Sequence, residues 1–187
     1  EIGSGLVGSE MCIRDRVNVE VDYLSDPGQV VIIPGVPEAL KLLKQHGFKT
    51  IVVTNQSGVA RGMYSEADVL AVHRRIRELL AGDGAEIDDF FYCLHHEKYS
   101  GPCNCRKPAP GMLLEAAKKY EIDCPHSVMV GDRLSDIAAG RAAGCGKVYL
   151  VKTGYGCEVI RNSDVSGIPV AEDLLDAVRQ YLGSPEP

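Results

Sequence analysis

The chain has 187 residues, with 20 Lys and Arg against 26 Asp and Glu for a formal charge of −6. That length fits one domain, and 45% apolar with 25% charged residues is ordinary globular composition with enough apolar residues for one core. The acidic balance excludes the basic footprint of a nucleic-acid binder, and no apolar run approaches the ~20 residues of a membrane span.

Residues 1–16, EIGSGLVGSEMCIRDR, show neither strand alternation nor a helical stripe, and lack the pattern of a secretory signal. GLVGSEMCIRDR resembles translated sequencing-adapter read-through, so this stretch is expected to be a non-native leader that supplies no element of the fold. From Val17 onward, apolar β-branched runs alternate with amphipathic stretches, as in βαβ units around a parallel sheet.

Residues 29–33 predict a short strand stopped by Pro34 and Gly35. Pro37 suits a first helical turn, and Ala39, Leu40, Leu42 and Leu43 give the buried stripe of a helix reaching Gly47. Residues 49–53 read as a buried central strand. A helix capped at Ser65 and Asp68 follows and runs to Leu80. Then come a strand at 89–93, a cysteine-rich loop, a helix at 111–120, a strand at 127–130, a helix at 135–143, a strand at 147–151 and a closing helix at 171–181. The expected fold is α/β: a Rossmann-like parallel sheet with helices on both faces, one domain over 17–182 with no separate cap domain, and a loose tail at 183–187.

Polar clusters follow three proposed strands on what would be one sheet edge, where loop amides and helix N-termini converge on ligands. After 49–53 comes TNQSG, in which Thr54, Asn55 and the turn's N–H groups can surround a phosphate. After the cysteine loop come Arg106, a forked oxyanion donor, and Lys107, a compact cation for phosphoryl oxygens. After 127–130 comes GDRLSD, with Asp132 at a strand terminus able to bind Mg²⁺ and Asp136 one helical turn further on.

The seven cysteines are an odd set, unlike a secreted disulfide framework, and three of them crowd with two histidines. Cys93, Cys103 and Cys105 with His95 or His96 suit tetrahedral Zn²⁺ with a filled shell, a structural site in a reducing, cytoplasmic compartment. Such a metal would order the intervening loop and hold Arg106 and Lys107.

TNQSG, CRKPAPGM and GDRLSD, in this order, resemble motifs two to four of the haloacid-dehalogenase-like phosphatases. Within them, TNQSGVARG and CRKPAPGM are closest to the D-glycero-D-manno-heptose 1,7-bisphosphate 7-phosphatase group, with histidinol-phosphate phosphatases as the rival. The resemblance implies Mg²⁺-dependent hydrolysis through an aspartyl phosphate, in nucleotide-activated heptose synthesis, by a monomer with a small phosphosugar substrate. It favours His95 as the fourth zinc ligand. It places Glu20, Asp22 and Tyr23 around the sugar, and Thr54, Asn55, Gln56 and Ser57 around the transferred phosphoryl. It gives Lys107 the role of stabilising that group, Arg106 the distal substrate, Asp132 the Mg²⁺ and Arg133 the sugar phosphate.

The first motif departs from the pattern. Counting back from Asn18, Cys12 stands at the nucleophile position, Arg14 at the acid/base position and Asp15 where the family has glycine. A chain with these residues is expected to be inactive as written. The competing reading is a non-catalytic phosphosugar-binding module.

Overall fold

The computed structural model describes residues 10–13 (backbone only), 17–18 and 23–183. Six parallel strands form one sheet in the order β3-β2-β1-β4-β5-β6. They are β1 (Glu10–Ile13), β2 (Lys49–Asn55), β3 (Asp89–Cys93), β4 (Val128–Gly131), β5 (Lys147–Val151) and β6 (Val170–Ala171). Helices connect them: α1 (Val36–Gln45), α2 (Ser57–Ala60), α3 (Glu66–Gly82), α4 (Glu97–Ser100), α5 (Gly111–Tyr120), α6 (Leu134–Ala143), α7 (Gly156–Asn162) and α8 (Leu174–Gly183). This is the doubly wound order in which ligands sit beyond the strands' carboxyl ends.

Alternation along β2 sorts the core into two layers. Val52 faces the cluster built on Leu40 and Leu43 of α1, Ile76 and Leu80 of α3 and Val178 of α8. Ile51 and Val53 face Met112 and Leu113 of α5 and Ile137 of α6. Both faces of the sheet are covered, so its strands read as apolar runs without polar alternation. Ser65 caps α3 as expected: its Oγ accepts from Asp68 N at 3.3 Å while Asp68 Oδ2 accepts from Ser65 N at 2.8 Å.

Three expectations are corrected. Glu10–Ile13, inside the stretch expected to supply no element, forms β1 at the centre of the sheet, in register with 49–52 of β2 on one side and Val128–Val130 of β4 on the other. Four residues show no periodicity, yet a two-sided ladder satisfies their backbone groups, which a gap between β2 and β4 would leave unpaired. The remainder of that stretch, 1–9 and 14–16, lies outside the described residues.

Residues 29–33 are not a strand of the sheet. A 3₁₀ turn at Pro27–Gln29 comes first, after which Val31 N donates to Asn18 Oδ1 at 2.6 Å and Ile33 N to Val17 O at 2.9 Å. The run folds back on 17–18 because β2 already has a partner on each side. Residues 170–171 pair with Leu150 and Val151 as β6, so the closing helix begins at Leu174. It ends at Gly183, and the remainder of the expected tail, 184–187, lies outside the described residues. Among the described residues no helix is long and apolar enough to cross a membrane.

Candidate active site

Loops after β1 to β5 meet around one cavity of about 600 Å³. Four cations line it, Arg61, Arg106, Lys107 and Arg133, and no carboxylate does among the described residues. Such a cavity concentrates a positive field and is matched to an anionic ligand with more than one charged group.

The cradle after β2 is built by reciprocal bonds. Thr54 is buried at the strand end, and Gln56 Nε2 donates to its Oγ1 at 3.2 Å. Gln56 Oε1 in turn accepts from Tyr64 Oη at 2.8 Å. The Tyr64 ring occupies the space where a Cβ at Gly58 would stand, 2.1 Å away, which is why a glycine is needed there. Asn55 lines the cavity, yet its amide spans to the next loop: Nδ2 donates to Lys107 O and Oδ1 accepts from Lys107 N, both at 3.1 Å. It ties the Lys107 loop to β2. Ser57 opens α2 and faces the cavity.

Lys107 reaches the cavity with its side chain fully buried. Its ammonium donates to Val53 O and lies 3.1 Å from Asp136 Oδ1, itself fully buried. Asp136 Oδ2 accepts from Arg133 N at 3.1 Å, which fixes the start of α6. Asp136 therefore serves as the counter-ion of Lys107, a role the helical spacing from Asp132 does not reveal. Gly131 is required at this turn, since a Cβ would lie 2.3 Å from Asp136 Cβ. Asp132 is completely buried at the end of β4, and its Oδ2 accepts from Tyr155 N at 2.8 Å.

Cys93, His95, Cys103 and Cys105 bring four donor atoms within 4.8 Å of one another. Their sulfurs are 2.8–3.6 Å apart, and His95 Nδ1 is 3.4 Å from Cys105 Sγ and 3.7 Å from Cys93 Sγ. Tetrahedral Zn–S bonds of about 2.3 Å imply edges of roughly 3.8 Å, so two of the sulfur pairs are near the required spacing and the Cys93–Cys105 pair would open to admit a metal. Burial pushes the Cys93 thiol far above its ordinary range, and the Cys105 contact adds to this. Three clustered thiols resist joint ionisation until a cation offsets their charge. His96 lies outside the set: its Nδ1 accepts from Lys98 N at 3.2 Å as the cap of α4, and its Nε2 meets Arg61 Nη2 at 3.1 Å. The cluster also anchors Arg106, whose Nη1 donates to His95 O at 3.2 Å.

Tyr23, at a positive φ of 54°, lines the cavity with the Arg61 guanidinium 5.6 Å from its ring centre. Glu20, Asp22 and Arg14 lie outside the described residues, and Cys12 is placed by its backbone, between Ile51 and Met129. Arg61, Tyr64 and Tyr155 are among the cavity residues that sequence reasoning missed. Arg61 was visible within TNQSGVARG, whereas nothing in the sequence marked Tyr64 or Tyr155, which depend on packing alone.

A parallel sheet in this order, a buried lysine paired with an aspartate, and a buried aspartate after β4 together define a class. The chain belongs to the haloacid dehalogenase-like hydrolases, whose pattern matches residues 13–144. The D-glycero-beta-D-manno-heptose-1,7-bisphosphate 7-phosphatase of Yersinia pestis is 41% identical over 143 residues, 74% of this chain and 76% of the relative. The enzyme of the same name from Vibrio cholerae is 39% identical over 172 residues, 89% of each chain. The crystal structure of D,D-heptose 1,7-bisphosphate phosphatase from B. bronchiseptica, complexed with magnesium and phosphate, superposes with a TM-score of 0.83 at 33% identity. That match covers 94% of this chain and 97% of the other.

Proposed function

We propose that the cavity binds D-glycero-beta-D-manno-heptose 1,7-bisphosphate and is built for removal of its 7-phosphate, as named for the relatives. The observation that carries this is the convergence of Arg61, Arg106, Lys107 and Arg133 with Thr54 on one cavity, which suits a ligand bearing two phosphates. The Thr54 hydroxyl and the hydroxyl and N–H of Ser57 take oxygens of the transferred group, while Gln56, whose N–H donates to Cys93 O at 2.8 Å, and Asn55 hold the cradle in shape. Lys107, held by Asp136, offsets their charge. Arg106 and Arg133 take the distal phosphate and sugar, with Glu20, Asp22 and Tyr23 as further sugar contacts. Arg106 and Lys107 directly follow Cys105, so Zn²⁺ held by Cys93, His95, Cys103 and Cys105 would act through loop order. Thiols kept for a metal fit a reducing compartment such as the cytoplasm.

Mg²⁺, which the B. bronchiseptica structure holds with phosphate, takes oxygen ligands. Asp132 supplies a buried carboxylate for it, but Cys12 and Arg14 occupy the two first-motif positions and offer a thiol and a cation. The donor set is therefore incomplete, and this chain is proposed to bind the bisphosphate without turning it over. The test pairs calorimetric binding of the bisphosphate with a phosphate-release assay, histidinol phosphate serving as the competing ligand. Preference for histidinol phosphate would overturn the substrate reading, and release of phosphate by the unaltered chain would overturn the alignment of the first motif.

A further inference from the structure

Of the four cations at the cavity, three are anchored by polar contacts: Arg106 to His95 O, Arg61 to His96, and Lys107 to Val53 O and Asp136. Arg133 differs. Its Nε is buried with no hydrogen-bond partner, and no carboxylate lies within ion-pair reach of it among the described residues. What holds the guanidinium is a ring: its central carbon lies 3.6 Å from the centroid of Tyr155, closer than the 4.8 Å of Arg77 over Phe90. Tyr155 is itself held in place. Its N–H donates to Asp132 Oδ2 at 2.8 Å, and the next residue, Gly156, has no room for a Cβ, which would stand 1.7 Å from Val151 O. The loop after β5 is thus pinned to the end of β4, with its ring against the side chain that follows Asp132.

The geometry points to Tyr155 as the positioning residue that presents Arg133 to the anionic sugar ligand, an inference that rests on the ligand reading above. A stacked guanidinium keeps its plane fixed while its donor fork stays available, so less rotamer freedom is lost when an anion binds. The contribution is electrostatic and planar, and a phenyl ring supplies it as well as a phenol. An aliphatic side chain does not.

The test uses the full chain and proton–nitrogen spectra of its arginine side chains, with the Arg133 Nε–H assigned by its loss in Arg133→Lys. In the unaltered chain this signal is expected upfield, displaced by the ring current, and it should move on addition of the heptose bisphosphate. Tyr155→Phe should keep both the upfield position and the affinity. Tyr155→Leu should lose the first and weaken binding about fivefold, the effect of roughly 1 kcal/mol of cation–π attraction. Normal affinity in Tyr155→Leu, with the bisphosphate still bound, would overturn the inference and leave the ligand reading intact. An Arg133 signal that is not upfield in the unaltered chain would overturn it as well, without need of any variant. Failure of the unaltered chain to bind the bisphosphate in calorimetry would instead sink the ligand reading, and this inference with it.

Discussion

The ammonium of Lys107 lies 3.1 Å from Asp136 Oδ1, and both side chains are entirely out of solvent. Removing one member leaves the other charge buried and uncompensated. Asp136→Ala is expected to destabilise the fold by about 3–5 kcal/mol, whereas replacing both by apolar residues of similar volume should be close to neutral. Denaturant unfolding of Asp136→Ala, Lys107→Met and the double variant Lys107→Met/Asp136→Leu checks this. The double variant should regain stability yet bind no phosphate, which separates the pair's two roles. Additive losses in the double variant would count against the pair acting as a unit.

Asn55 joins two loops through both ends of its amide. Asn55→Ala should lower stability by about 1–3 kcal/mol, because two buried backbone groups of Lys107 lose their partners. Asn55→Asp keeps the acceptor and loses the donor, so its stability should fall between Ala and Asn. Stability and phosphate affinity should fall together across the series, since the bond places Lys107; affinity loss with stability unchanged would favour a direct phosphate contact instead.

The cysteine cluster predicts about one zinc per chain, because four donors fill a tetrahedral shell. Elemental analysis of protein purified without chelator should find it. Chelation, or Cys105→Ser, should expose the loop between His95 and Cys105 to protease and weaken phosphate binding through Arg106. Well-folded, reduced protein with no metal would rule the site out.

Turnover should be restored by three substitutions in and just after β1: Cys12→Asp, Arg14→Asp and Asp15→Gly. The strand that carries position 12 is present and in register with β2 and β4. The changes supply an anionic nucleophile and a carboxyl acid where a thiol and a permanent cation stand. Phosphate release from the heptose bisphosphate should rise from background to a Mg²⁺-dependent rate. A triple variant that binds the bisphosphate but stays inactive would show that the first motif is aligned wrongly.

The sequence by itself determined the strands at 49–53, 89–93, 127–130 and 147–151, because a buried parallel sheet demands runs such as Thr50-Ile51-Val52-Val53 whatever surrounds them. It also determined the Cys93–Cys105 ligand spacing and the order of TNQSG, CRKPAPGM and GDRLSD along one sheet edge, since these are local in the chain. Tertiary structure alone decided the rest. Glu10–Ile13 is a strand through its two neighbours and not through its side-chain pattern, while the more apolar run at 29–33 lost its place in the sheet to a fold-back on Asn18. Asp136, spaced to share a metal with Asp132, is matched to Lys107 from another loop, and Tyr155 becomes part of the site only because β5 lies beside β4. The division has a physical cause: periodicity and spacing report which face of an element is buried, whereas a charge's partner or a ring's neighbour is fixed by contacts between residues far apart in the chain.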